Sequence, residues 1–331
     1  MVQVAIIGSG NIAHTRHIPN ILRSSRAELR GIYNRNAVQS KQDAEKLGCK
    51  AYCNLEDMWD DPELDAVIIC TPASTHCDLI LAALAAGKHV LCEKPMCVTM
   101  EEADEILAAA EKSSKKLMIS HNQRYYKPHQ KAKELISSGV IGKVLNVRSS
   151  LGLNLPPINH ISCDNDAGRE VLCHRIDLMH YLLDANAEGV FARMTRVDET
   201  QTCYHVFQWD DTAMAIIQYE NGVMVNFTAS KVSHNGNDRM TQIFGTKGSI
   251  TLYGQKAPVC VELESGETQW YDLTDVPSQR EVEKTEVDEA FFMCVEENLP
   301  IPITARDGYK VVQILSALYR ANEQEQFVYI R

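Results

Sequence analysis

Residues 2–13 read VQVAIIGSGNIA, and the reading of this stretch decides the fold. Val2, Val4, Ile6 and Ile7 are β-branched and with Ala5 form a short apolar run. That is the composition of a strand buried on both faces of a parallel sheet. Gly8, Gly10 and Ala13 follow as GxGxxA, ahead of a helix-length segment that reaches Ser24. Glycine at 8 permits a tight turn, glycine at 10 lets backbone approach a pyrophosphate, and alanine at 13 keeps the helix close to the strand. The helix N-terminus then offers unpaired N–H groups to an anion. Strand before and helix after make this a dinucleotide-binding βα turn, with Gly8, Gly10, Asn11 and Ile12 as cofactor-binding candidates.

A chain of 331 residues exceeds one typical domain and predicts two. Its net charge of −11, with no basic stripe, argues against a nucleic-acid partner. Met1 leads straight into a core strand and no apolar run approaches the length of a membrane span. A cytoplasmic protein without a membrane partner is therefore expected. The eleven cysteines include no CxxC pair. Most sit in apolar surroundings and read as free buried thiols, with no metal site expected.

Outward from the first turn, residues 27–34 read as the second strand, whose end faces an adenosine ribose in dinucleotide-binding folds. An acidic residue there would accept bonds from both ribose hydroxyls. This chain has Asn34-Arg35-Asn36 instead. Arginine pairs bidentately with phosphate, so the cofactor is read as NAD(P), leaning to NADP, with Arg35 on the 2′-phosphate. The alternative is a solvated Arg35 beside NAD. Residues 64–70 and 88–92 are further buried strands, and short connections alternate with helices throughout. This is the pattern of a doubly wound parallel sheet, whose ligands sit outside the carboxyl ends of the strands. Thr71, Pro72, His76, Glu93 and Lys94 all fall at such ends. Asn122, after the sixth strand, either helps hold the nicotinamide side or is structural. His14 and His17 form HxxH in the first helix and read as lining the cofactor cleft or solvent.

From about Arg124 the pattern changes. A helix at 128–138 precedes a strand series that includes VFARMTRV, YHVFQW, TAMAIIQY and GVMVNFTASK, several alternating at period two. The fold class is thus α/β. A dinucleotide-binding domain at 1–123 precedes an α+β domain at 124–331 with a large, mostly antiparallel open sheet. The outer face of that sheet carries enough Val, Met, Phe and Ile to predict a homodimer or homotetramer. Two last helices, 286–298 and 307–323, close the chain.

GREVLCHRIDLMHYLL, residues 168–183, has strong helical periodicity. Glu170, His174 and Asp177 stand at i, i+4 and i+7 and are expected on one face. Two carboxylates flanking an imidazole can bind a hydroxyl, exchange its proton and orient the ring. Asp177 either holds His174 or itself takes the proton. A metal reading with His180 fails, because residues six apart diverge around a helix.

GxGxxA at the N-terminus, TPxxxH at 71–76 and EKP at 93–95 together resemble the glucose–fructose oxidoreductase / inositol dehydrogenase / rhizopine-catabolism (Gfo/Idh/MocA) family. The resemblance continues through HNQRY at 121–125, GVIGKV at 139–144 and the helix containing His174-Arg175-Ile176-Asp177. It implies a Rossmann domain and an NAD(P)-dependent dehydrogenase for a sugar, inositol or related polyol. It also implies that Lys94 lies beside the nicotinamide and that His174 touches the substrate. Members carry DxxxH in this helix, and Glu170 stands where the Asp would be. NAD-dependent glycosidases that oxidise transiently, and non-catalytic dinucleotide-binding regulators, resemble the same family.

Overall fold

The apolar runs of the N-terminal third assemble into a six-stranded parallel sheet in the computed structural model, which describes residues 1–153, 166–197, 210–233, 238–273 and 286–330. Its strands are β1 (Val2–Ile7), β2 (Ala27–Tyr33), β3 (Lys50–Ala51), β4 (Ala66–Ile69), β5 (His89–Cys92) and β6 (Leu117–Ile119). Their order is β3-β2-β1-β4-β5-β6, the doubly wound order of dinucleotide-binding folds. Val4 to Ile7 and Val67 to Ile69 have no exposed surface, as strands covered on both faces require.

The covering helices are α1 (Ile18–Arg23), α2 (Ala37–Leu47), α3 (Glu56–Trp59), α4 (His76–Ala85) and α5 (Met100–Lys112). Local chemistry sets their ends. Asn36 caps α2 by accepting from the N–H groups of Val38 and Gln39, and Gly48 closes it at φ +67°. Thr99 and Glu102 form a reciprocal capping box at the start of α5. Ahead of α1, Ala13–His17 forms a π-helical turn rather than α.

A nine-stranded sheet follows the helix α6 (Lys127–Ser137). It comprises β7 (Val144–Gly152), β8 (Ala187–Thr195), β9 (Thr212–Tyr219), β10 (Met224–Ser230), β11 (Thr241–Gly245), β12 (Gly248–Leu252), β13 (Val259–Leu263), β14 (Thr268–Tyr271) and β15 (Val328–Tyr329). The order is β14-β13-β12-β11-β7-β10-β9-β8-β15, antiparallel except for the β7/β10 pair. One face buries Ala213, Ala215, Ile217, Val225 and Phe227, while Met214 and Met224 on the other are 60% and 48% exposed. The strand expected at YHVFQW, residues 204–209, lies outside the described residues. The remaining helices are α7 (Cys173–Leu183), α8 (Glu286–Glu296) and α9 (Ala305–Gln324). Among the described residues no helix is long and apolar enough to cross a membrane.

The domain division differs from the expected 124–331 block. Met1–Asn122 forms one compact unit together with α8 and the start of α9, through Val312, and the other unit takes Gln123 onward and the chain from Gln313. The reason is burial and charge. Phe291 and Phe292 of α8 have no exposed surface, Asp288 meets His17, and the Ile119 N–H donates to the Ile303 carbonyl. The helix α8, far downstream in the chain, is thus part of the first core.

Candidate active site

Gly8 is required twice over. Its φ is +90°, and a Cβ built on it would stand 2.8 Å from Thr71 Cγ2 and 3.1 Å from the Cys70 backbone. The turns after β1 and β4 are therefore in contact at this point. A Cβ on Gly10, in contrast, would meet no atom within 4 Å, so the space beside this turn is open to a ligand. Asn11 is exposed and Ile12 half-buried. This arrangement fits a bound pyrophosphate, with the backbone of residues 8–12 as its cradle.

At the end of β2, Asn34 donates from Nδ2 to Ser9 Oγ at 2.8 Å and accepts from the Asn36 N–H at 2.9 Å. Its side chain therefore ties the glycine turn to the cap of α2. Arg35 is exposed beside it. No carboxylate occupies the strand end.

Thr71 is half-buried and Pro72 exposed. His76 is 1% exposed, and its two ring nitrogens lie 2.9 Å from the Thr71 and Pro95 carbonyls. It braces the turn after β4 to the turn after β5.

Glu93 also departs from the cofactor-facing expectation. It is 5% exposed, and Oε1 accepts from Arg16 at 2.9 Å and from His17 Nε2 at 3.0 Å. Oε2 accepts the backbone N–H of Lys94 at 3.2 Å. Burial alone would raise its pKa, but the charges of Arg16, His17 and Lys94 and the His17 hydrogen bond hold it well below the usual carboxylate range. His17, expected at the cofactor cleft or solvent, has no exposed surface, and its Nδ1 meets Asp288 Oδ1 at 2.5 Å. Burial, the largest single influence, pushes this imidazole down, but the charges and hydrogen bonds of Asp288 and Cys70 together outweigh it and leave the pKa raised. The ring thus favours folding fully below its ordinary value of about 6.5, and that gain is lost as pH rises through the raised value. Lys94 is half-buried at the end of β5, and Asn122 is 1% exposed at the start of a 3-10 turn, Asn122–Tyr125.

On the second unit, Gly168–Leu172 is a second π-helical turn, leading into α7. Such single π turns recur at functional sites. Glu170 and His174 are half-buried, whereas Val171 to Cys173 and Arg175 to Met179 are buried. Asp177 does not share their environment. It is 1% exposed and takes bonds of 2.6 to 3.1 Å from Nε and Nη2 of Arg124. The expected one-face triad therefore reduces to Glu170 and His174, with Asp177 committed to an ion pair. What sets Asp177 apart is Arg124, 53 residues away in sequence, which engages both of its carboxylate oxygens.

Sequence reasoning missed Arg16, Arg124 and Asp288. Arg124 lay in view within HNQRY, but its partner is 53 residues away. Asp288 is 271 residues from His17, and no local pattern marks it.

Residues 2–121 match the NAD-binding Rossmann-fold domain of the GFO/IDH/MocA oxidoreductases, and residues 129–251 match the C-terminal domain of that family. The chain is 29% identical over 254 residues to myo-inositol 2-dehydrogenase of Thermotoga maritima, covering 75% of this chain and 74% of the relative. It is 25% identical over 333 residues to inositol 2-dehydrogenase of Rhizobium meliloti, covering 99% of each. The crystal structure of scyllo-inositol dehydrogenase from Lactobacillus casei with NAD(H) and scyllo-inositol shares the fold. Its TM-score is 0.84 at 23% identity, over 100% of this chain and 99% of that one. With both domains matched and the glycine turn built as the fold requires, the chain belongs to the GFO/IDH/MocA family of NAD-binding oxidoreductases.

Proposed function

We propose that the protein oxidises a secondary alcohol of a sugar, inositol or related polyol, or reduces the matching ketone. The observation that carries this reading is the pair Glu170 and His174, half-buried polar groups on a helical stretch in which Val171 to Cys173 and Arg175 to Met179 are buried. Two relatives named as inositol dehydrogenases support the substrate class. The nicotinamide cofactor, when bound, supplies the two-electron oxidant or reductant. Gly8, Gly10, Asn11 and Ile12 would hold its pyrophosphate. Lys94 donates a hydrogen bond to the reacting oxygen and steadies its charge. His174 exchanges a substrate proton, and Glu170 binds a substrate hydroxyl. Glu170 reaches one methylene further than the family's aspartate, which sets this pocket apart in substrate choice. The reading is tested with a panel of inositols, polyols, aldoses and glycosides, followed by NAD(P)H absorbance at 340 nm. Stoichiometric NAD(P)H with one polyol supports it. Glycoside cleavage without net cofactor turnover, or silence across the panel, overturns it.

The cofactor is NADP(H) in this reading, because the end of β2 carries no carboxylate and Arg35 is exposed beside Asn34. NADP(H) is expected to bind more tightly than NAD(H). Arg35→Ala should weaken NADP(H) selectively by about 1.5–3 kcal/mol, the scale of a charge-assisted phosphate contact. Fluorescence titration decides it, and equal affinities in the unaltered protein would sink the preference.

The protein also associates with itself through the outer face of the nine-stranded sheet. Met214 pairs across strands with Thr228, and Met224 with Gln218, on the face that leaves both methionines exposed. A two-fold pairing of such faces buries them in both copies. Sedimentation velocity at micromolar concentration should show a dimer or tetramer, and a monomer-sized species would contradict it.

A further inference from the structure

A chain of buried contacts runs from the backbone of Lys94 to a helix at the far end of the sequence. The Lys94 N–H donates to Glu93 Oε2 at 3.2 Å, and Glu93 Oε1 accepts from Arg16 and from His17 Nε2. His17 Nδ1 meets Asp288 Oδ1 at 2.5 Å, and Asp288 Oδ2 accepts from Asn20 Nδ2 at 2.7 Å. His17 and Asp288 have no exposed surface, and Glu93 and Arg16 are 5% and 6% exposed. Two basic and two acidic groups are thus gathered inside one core. Such networks are a weak source of stability, because desolvation offsets much of the attraction. What they do well is fix geometry. This one ends on the backbone of Lys94.

We propose that Asp288 is a positioning residue for Lys94, acting through His17 and Glu93, and this rests on reading Lys94 as the group that contacts the reacting oxygen. Both nitrogens of His17 face carboxylate oxygens, so both must donate and the ring must be the imidazolium. The groups facing it are Glu93 after β5, Cys70 after β4 and Asp288 on α8, while Arg16 donates to Glu93 and Asn20 to Asp288. Burial opposes the imidazolium, and the charge of Asp288 is the largest influence that sustains it. With Asp288 neutral, burial is less opposed and the ring gives up its proton at a lower pH than in the unaltered protein. It then has one N–H for two acceptors, and Glu93 no longer holds the peptide of Lys94 in a single place.

The test is the ratio of Asp288→Asn to unaltered kcat across pH, using the polyol found active and saturating cofactor. The ratio is expected to fall as pH rises, by roughly ten- to a hundredfold from the acid to the alkaline end of the profile. KM for the polyol and Kd for NAD(P)H should hold. Asp288→Glu, which keeps the charge, should restore a flat ratio. A ratio for Asp288→Asn that is flat across pH, whether near unity or uniformly low, would overturn the proposal, since a purely structural role carries no titration. Should Asp288→Asn not fold, the charge-neutral pair His17→Gln with Asp288→Asn replaces it. Its kcat should be reduced ten- to a hundredfold at every pH, by the same loss of position. An unaltered kcat in that pair overturns the proposal. Lys94→Met is run alongside. If it retains turnover, the reading of Lys94 fails, a result distinct from a pH-independent Asp288→Asn.

Discussion

Lys94→Met and His174→Ala are each expected to lower turnover by roughly 10²–10⁴-fold, the range for a positioned acid–base group. That corresponds to about 2.7–5.5 kcal/mol of transition-state stabilisation. The dinucleotide should bind both variants nearly as it binds the unaltered protein. The glycine turn after β1 is built from Gly8 and its neighbours, and neither residue contributes to it. Methionine preserves the length and apolar stem of lysine while removing its charge and donors, so a fall in kcat reports the ammonium. Alanine at 174 removes the only imidazole among the half-buried positions of 169–174. Steady-state kinetics beside a fluorescence titration of cofactor separates the two effects. Turnover by His174→Ala at the unaltered rate would show that α7 does not carry the proton exchange.

The second large effect is on folding. Arg124→Leu should destabilise the protein by about 3–5 kcal/mol, measured by denaturant unfolding, because it strips a buried carboxylate of its guanidinium. Asp177 is 1% exposed, and three contacts from Arg124 at 2.6, 2.9 and 3.1 Å hold it. The loss should exceed that from Arg193→Leu by several-fold. The partner of Arg193 is Glu325, and both side chains are more than half exposed, where a pair is worth about 0–1 kcal/mol. Equal losses from the two substitutions would show that burial of Asp177 does not set the cost.

What was legible in the sequence was whatever is written locally. The strand β1 and its glycine turn are contiguous, so composition and spacing reveal both the buried sheet and the cradle beside it. The same holds for β4, β5 and the period-two strands β9 and β10. The two-residue strands β3 and β15 carry too little pattern to reveal which strand each pairs with, and β15 went unread altogether. The site divides along the same line. Gly8 and Gly10 follow from a contiguous motif, whereas the spacing of Glu170 and His174 rests on a helical period that the π-helical turn at Gly168–Leu172 interrupts. Glu93 and His76 are expected at strand ends beside the cofactor and Asp177 on one helix face with His174, yet the orientation of each depends on partners that no local pattern marks. Glu93 looks inward because Arg16 and His17 wait there. Asp177 looks away because Arg124 reaches it. The π-helical turns at Ala13–His17 and Gly168–Leu172 add a second obstacle, since a change of winding leaves no mark in a pattern read at one fixed period.

The return of α8 to the first core has a consequence for synthesis. At roughly 5–20 residues per second, the 271 residues between His17 and Asp288 take on the order of tens of seconds to emerge from a ribosome. Throughout that interval the nascent parallel sheet lacks the phenylalanines and the carboxylate that complete it. The dinucleotide-binding half is therefore the first to be made and among the last to be finished. A fragment ending near residue 123 is not a transferable cassette, and a stop codon ahead of α8 would leave both a gap in the core and a buried imidazole short of its counter-charge.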